Sequence, residues 1–296
     1  LQTDWLLAKL IGGAGETTMR RLQFILLGAA VAALATQASA QKLPLPPSDF
    51  KLDWVKLPTG MDIDRYYPDA AQRHNAGGSV VLGCNVQPDG QVYGCKSFAE
   101  SPKGFGLGEA AIRMSGRLFQ LKPGSFEQAL PVPGRVAISI SFTLTAGSHQ
   151  RPPFVFGYDA ALLTGGPLAQ AATPLAGVGC FRAASAKVCN LHLVTWVKSP
   201  NSITAMVSIL NAGKTDGSDV AVCAVGPDGA LVNCTATSPE AGAVMADLVG
   251  SFKASSRADD GTPIATGPIA IVFDWKSLAA AAQALRPDPT LAASAK

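Results

Sequence analysis

Apolar and polar positions alternate along three short runs between residues 79 and 144, the period of strands that bury one face. In Ser79–Val86, Val80, Leu82, Cys84 and Val86 alternate with Val81, Gly83 and Asn85. Gln91–Phe98 follows across a turn, and Arg135–Leu144 sets Val136, Ile138, Ile140, Phe142 and Leu144 against Ala, Ser, Ser and Thr. That last alternation predicts an antiparallel sheet with one face solvated. A glycine-rich turn (Gly104, Gly106, Gly108) leads into a helix expected near Glu109–Leu121. The same order then returns. Strands are expected at Asp219–Val225 and Ala230–Ala236, then a helix from Ser238-Pro239-Glu240 to about Phe252, then a closing strand through Ile269, Ile271, Phe273 and Trp275. Val244, Met245, Leu248, Val249 and Phe252 form one apolar face, which reads as core packing. The chain therefore reads as α+β: two β–β–α–β modules, each a small antiparallel sheet packed on one helix.

Two identical spacings support the repetition. Cys84 and Cys95 flank Pro88-Asp89-Gly90, and Cys223 and Cys234 flank Pro227-Asp228-Gly229. Pro presets φ and Gly accepts positive φ, so each unit reads as a hairpin turn. Counting outward from Asp89/Gly90 puts Val86 opposite Tyr93 and Cys84 opposite Cys95; the same count puts Cys223 opposite Cys234. A three-residue turn with a bulge would shift the register by one. Each pair reads as a disulfide across a hairpin, and elimination leaves Cys180–Cys189. A second match, Trp54-Val-Lys and Trp196-Val-Lys, lies outside the hairpins.

Disulfides need an oxidising compartment. Met19-Arg20-Arg21, the apolar run Leu22–Ala35 and Ala38-Ser39-Ala40 before Gln41 have the form of a signal peptide cleaved near Ala40/Gln41. The run is short for a membrane span, which needs about 17–25 residues; left uncleaved, it would be an inner-membrane anchor. The expected organisation is an upstream extension (1–18), signal peptide (19–40), Pro-rich lead-in (41–53), first module (54–145), linker (146–179), second module (180–276) and tail (277–296). The net charge of +3 carries no run of like charge and argues against nucleic acid as a partner. No membrane span is expected after cleavage.

Catalytic chemistry is not legible. His74, His149 and His192 pair with no Cys or Ser motif at a recognisable spacing, and Gly-x-Ser-x-Gly does not occur. Gly213-Lys214-Thr215 has Ser208 where a phosphate loop needs Gly. No Cys-x-x-Cys offers a zinc site. No enzyme activity, metal or cofactor is expected.

Several segments together resemble a known family. Tyr67-Pro68-Asp69-Ala-Ala, Gly78-Ser-Val-Val, Val86-x-x-Asp-Gly-x-Val92, Gly106-x-Gly-Glu-Ala-Ala111, Phe119-x-x-x-Pro123 and Ile138-Ser-Ile-Ser-Phe-Thr-Leu144 occur in order. They resemble the C-terminal domain of TonB, the periplasmic arm that energises outer-membrane transporters. The second module lacks Tyr-Pro and Phe-x-x-x-Pro and resembles the family more weakly. The resemblance implies binding of an extended partner segment by strand addition. The implied contact residues are Tyr66, Tyr67 and Pro68, with Val136, Ile138, Ile140 and Phe142 on the closing strand. The implied partner is an envelope protein or peptide, TonB-dependent transporters included. Alternatives are a membrane-anchored energy transducer and an envelope structural protein. Against the transducer, the apolar run has no histidine and only a short lead-in follows it.

Overall fold

The computed structural model describes residues 42–47, 50–126, 130–143, 159–162, 172–174, 181–183, 186–188, 192–258, 260–264 and 268–287, with backbone alone from 159 to 193. The apolar run, the cleavage motif, Cys180 and Cys189 lie outside the described residues. The first half runs β1 (Trp54–Lys56), α1 (Gly60–Tyr66), α2 (Asp69–Arg73), β2 (Gly78–Val86), β3 (Val92–Ser101), α3 (Leu107–Leu118), β4 (Gln120–Leu121) and β5 (Arg135–Phe142). Five short strands follow: β6 (Asp159–Leu162), β7 (Ala172–Pro174), β8 (Phe181–Ala183), β9 (Ala186–Val188) and β10 (His192–Leu193). The second half runs β11 (Trp196–Lys198), α4 (Ser202–Ala212), β12 (Ser218–Val225), β13 (Leu231–Ala236), α5 (Pro239–Leu248), β14 (Lys253–Ala254), β15 (Ile269–Asp274) and α6 (Trp275–Ala282), ending in a 3₁₀ turn, Gln283–Leu285. The protein is mixed α+β with small antiparallel sheets, ordered β3-β2-β5 in the first module and β10-β6-β15-β12-β13 in the second.

Each central hairpin turns through three residues. Gln87 N–H donates to Gln91 O (2.9 Å) and Gly226 N–H to Ala230 O (2.8 Å). Asp89 and Asp228 hold the bends by accepting from the N–H two residues on, at 2.9 and 3.1 Å. The three-residue turn sets Val86 opposite Val92, not Tyr93 as direct counting expects. A bulge corrects the slip. Gly94 and Asn233, both at positive φ (56° and 52°), are the extra residues, so Gly83 regains Lys96 as partner. Cys84 and Cys95 then bond with Cα atoms 4.1 Å apart, and Cys223 and Cys234 at 4.0 Å. The turn tips also hold the next strands: Gly90 O accepts from Leu121 N–H (2.9 Å) and Gly229 O from Ala254 N–H (2.8 Å). A Cβ on Gly90 would sit 1.9 Å from Leu121 O, so only glycine fits there. Trp54 packs against Phe119 and Trp196 against Phe252 in the same relation.

Each module also carries helix ahead of its hairpin, α1 and α2 in one and α4 in the other, absent from the β–β–α–β expectation. Ile203 to Ile209 are all buried in α4. A helix buried all round has no polar face, hence no periodicity to read. Asn201 caps it by accepting from Ile203 N–H (2.8 Å), and Gly213 ends it at φ +72°. The Pro-rich lead-in lies along this helix. Asn211 accepts from Leu43 N–H (2.8 Å) and donates to Leu43 O (2.9 Å), while Asn201 donates to Phe50 O (3.2 Å).

The first sheet is covered on both faces, a correction to the expected solvated face. A Cβ on Gly78 of β2 would strike Leu107 of α3, whereas one on Gly83 would lie 2.5 Å from Ala284 O. Even-numbered β2 residues thus face α3, and odd-numbered ones face the end of the chain. Residues 277–285, expected as tail, are α6 and the 3₁₀ turn, with Leu278, Ala282 and Leu285 buried. Residues 159–162, expected within a linker, pair antiparallel with β15. In both cases apolar or extended chain finds an open sheet surface to cover.

Two buried polar groups fix this arrangement. Arg135, at 1% exposure, donates from Nε to Ala284 O (2.9 Å) and from Nη1 to Asn85 Oδ1 (3.1 Å), beneath the Phe98 ring. Ala284 lies at a helical C-terminus, where carbonyl dipoles favour a cation. Asp219 accepts from Lys214 Nζ, Ser238 Oγ and Trp275 Nε1, each at 2.6 Å, and from Thr237 Oγ1 at 3.2 Å. It joins the start of β12 to α5 and α6.

Arg135→Met should cost about 1–3 kcal/mol, because buried acceptors lose a charged donor. Urea unfolding checks this, and an unchanged midpoint would mean that apolar contact alone docks the chain end. Burial raises the Asp219 pKa, but the hydrogen bonds from Lys214, Ser238 and Trp275 outweigh it and hold the carboxyl below its ordinary 3.8. Its contribution is therefore complete above about pH 4 and is lost as pH falls through the lower folded value. Asp219→Asn should flatten that acid limb and cost about 1–3 kcal/mol at pH 7, read from melting between pH 2.5 and 7.

Candidate binding edge

β5 is the outer strand of the first sheet, and no strand pairs with its far side among the described residues. The phase of its main chain follows from one bond beyond the ladder: Val86 N–H donates to Gly134 O (3.0 Å). In an antiparallel pair, hydrogen-bonded and non-bonded positions alternate. Gly134, Val136, Ile138, Ile140 and Phe142 therefore direct N–H and C=O inward to β2, and Ala137, Ser139 and Ser141 direct theirs outward.

The sequence expectation names four residues of this strand. Val136, Ile138, Ile140 and Phe142 are buried, opposite Cys84, Leu82, Val80 and Gly78 on the face toward α3. Neither their side chains nor their main-chain groups face the open edge. Alternation in a sequence reveals which side chains enter the core; the direction of the amides depends on where the ladder begins. Ala137, Ser139 and Ser141, which turn their main chain outward, are not among the residues expected from the sequence.

The Tyr66-Tyr67-Pro68 segment divides. Tyr67 is buried, meets the Phe142 ring edge-on at 5.6 Å and donates its hydroxyl to Ala76 O (3.0 Å). Burial and then the Asp64 charge raise its pKa above 10.0, so it stays a neutral donor. Tyr66 and Pro68 are half-exposed and line a groove of about 610 Å³ with Arg65, Phe105, Glu109 and Arg113. The groove lies between the α1–α2 junction and the loop entering α3, so Tyr67 links its wall to the end of β5. Leu107 N–H at the start of α3 donates to Glu100 Oε1 (3.1 Å). The Glu109–Arg113 pair on its rim, at 3.9 Å and largely exposed, contributes little.

No group of His, Cys, Asp and Glu able to hold a metal occurs among the described residues. Nor is any helix among them long and apolar enough to cross a membrane. Residues 64–144 match the family model of the Gram-negative bacterial TonB protein C-terminal domain. The match spans α2 to β5 and contains the groove and the open edge. No curated protein matches the chain.

Tyr67→Phe should cost about 1 kcal/mol, through the lost bond to Ala76 O. Thermal melting reads the loss. Tyr67 lines the groove but turns its hydroxyl to Ala76 O, so partner affinity should stay within about twofold of the parent, well under the tenfold that 1.4 kcal/mol would give; a larger loss would place its hydroxyl in contact with the partner.

Proposed function

We propose, from the TonB C-terminal domain that residues 64–144 form, that this chain binds an extended segment of an envelope protein along β5. The disulfides suit the oxidising envelope, and the family is a protein-interaction domain of TonB-like envelope proteins active in transport or binding. The observation that carries the reading is that the outer side of β5 has no strand partner among the described residues. Ser139 and Ser141, half-buried, offer outward main-chain donors and acceptors that an added strand satisfies. The adjoining groove supplies aromatic and charged side chains from Tyr66, Phe105, Arg65 and Arg113. Main-chain pairing gives affinity, and the groove gives preference among sequences. The partner class is the extended periplasmic segments of outer-membrane transporters.

The test uses synthetic peptides copied from such segments. Hydrogen exchange should slow at the outward amides of Ser139 and Ser141 when a peptide binds. Ser139→Pro removes one outward donor and no ladder bond, so the fold survives and affinity falls at least about tenfold. Peptides that leave residues 135–142 unperturbed would sink the strand-addition reading.

A further inference from the structure

In the second module the corresponding edge is already filled. Trp275 N–H donates to Gly217 O (3.1 Å), which sets the β12–β15 phase so that Ala270, Val272 and Asp274 direct their main chain outward. These positions match the open ones of β5: Gly83 faces Ala137 as Val222 faces Ala270, and Val81 faces Ser139 as Val220 faces Val272. β6 lies along that side, with Ala161 opposite Ala270 and Asp159 opposite Val272. β10 then pairs with the far side of β6, His192 opposite Leu162.

We propose that residues 159–162 act as a ligand in cis, closing on the second module the edge that corresponds to β5, so that of these two matching edges β5 alone is left for a partner. The inference rests on the reading above that β5 takes an extended strand. Tethering makes β6 the favoured occupant. A segment of the same chain binds at an effective concentration in the millimolar range, which a dilute partner in trans does not match. Ala161 offers its N–H to β15, whereas Ala160 directs its own to the opposite side. β6 also shows what an occupant of this edge looks like: a short extended run in antiparallel register. The second module is thus a scaffold for the first. It supplies α6 and the 3₁₀ turn to the first sheet and withholds its own edge from partners.

Hydrogen exchange on the full chain tests this, with the probe peptide Gly-Tyr-Asp-Ala-Ala-Leu-Leu-Thr copied from residues 157–164. In the unmodified protein the Ala270 and Val272 amides should be protected, and the probe should leave them unchanged. Ala161→Pro should speed their exchange at least about tenfold, and added probe should restore protection. Ala160→Pro, whose N–H faces the other way, should keep them protected. Fast exchange at Ala270 and Val272 in the unmodified chain, or protection gained there on adding probe, would overturn the proposal. So would equal release by the two proline variants. Should Ala161→Pro not fold, the response of the unmodified chain to the probe decides the matter. Transporter-derived peptides report separately on residues 135–142, so failure of the β5 reading and failure of the cis closure give different footprints.

Discussion

Arg135 keeps its charge inside the molecule because acceptors surround it, and one of them, Ala284 O, belongs to the far end of the chain. Bringing that carbonyl into place requires α6 and the 3₁₀ turn to lie on the first sheet. The approach is close: a Cβ on Gly83 would collide with the same carbonyl. The first module therefore depends on the second for one of its faces. A small sheet covered by one helix buries limited apolar surface and is marginal alone. Ala137 and Arg135 on β5 become core residues through this docking. The placement of the charge matters too. Arg135 opens the strand whose outer side has no strand partner among the described residues, so the rigidity of that edge at one end comes from contact between modules.

With both faces covered, the edges decide what each sheet can meet. The two central strands, β2 and β12, are built alike, down to the three-residue turn, the bulge at Gly94 or Asn233 and the cysteine pair across it. Their neighbours on the other side, β5 and β15, offer main-chain groups at matching positions. What differs is occupancy. A row of unmet amides is a standing attraction for any extended chain, and the segment after the first module meets that need in the second. The 159–162 strand and its partner β10 cover the β15 side, while the matching side of β5 has no strand partner among the described residues.

The sequence was legible wherever side chains alone decide the outcome. The hairpins, the cysteine pairing across them, the helix starting at Ser238 and the burial of Val136, Ile138, Ile140 and Phe142 all follow from alternation and turn chemistry. Illegible features depended on what packs against what. α4 hides because contact on all sides erased its periodicity. The serine and alanine positions of β5 look like a solvated face because small residues suit both water and a closely docked helix. The phase of the β5 amides is set by the Val86–Gly134 bond, outside any pattern of polarity. The residues expected from the sequence on β5, Val136, Ile138, Ile140 and Phe142, are thus those whose main chain the ladder turns inward, while Ala137, Ser139 and Ser141 turn theirs outward.

The lead-in bears on how force would travel through this protein. An extended residue spans at most about 3.3–3.6 Å, so a spacer is useful only over residues that are free. Here the main chain at Leu43 is held by two hydrogen bonds from Asn211, and Phe50 O by one from Asn201. Both asparagines belong to the α4 region of the second module. Tension applied ahead of Leu43 would load α4 before it reached Trp54 and the first sheet. In this chain the lead-in is clamped to the α4 region, so load on it would reach the first sheet by way of the second module.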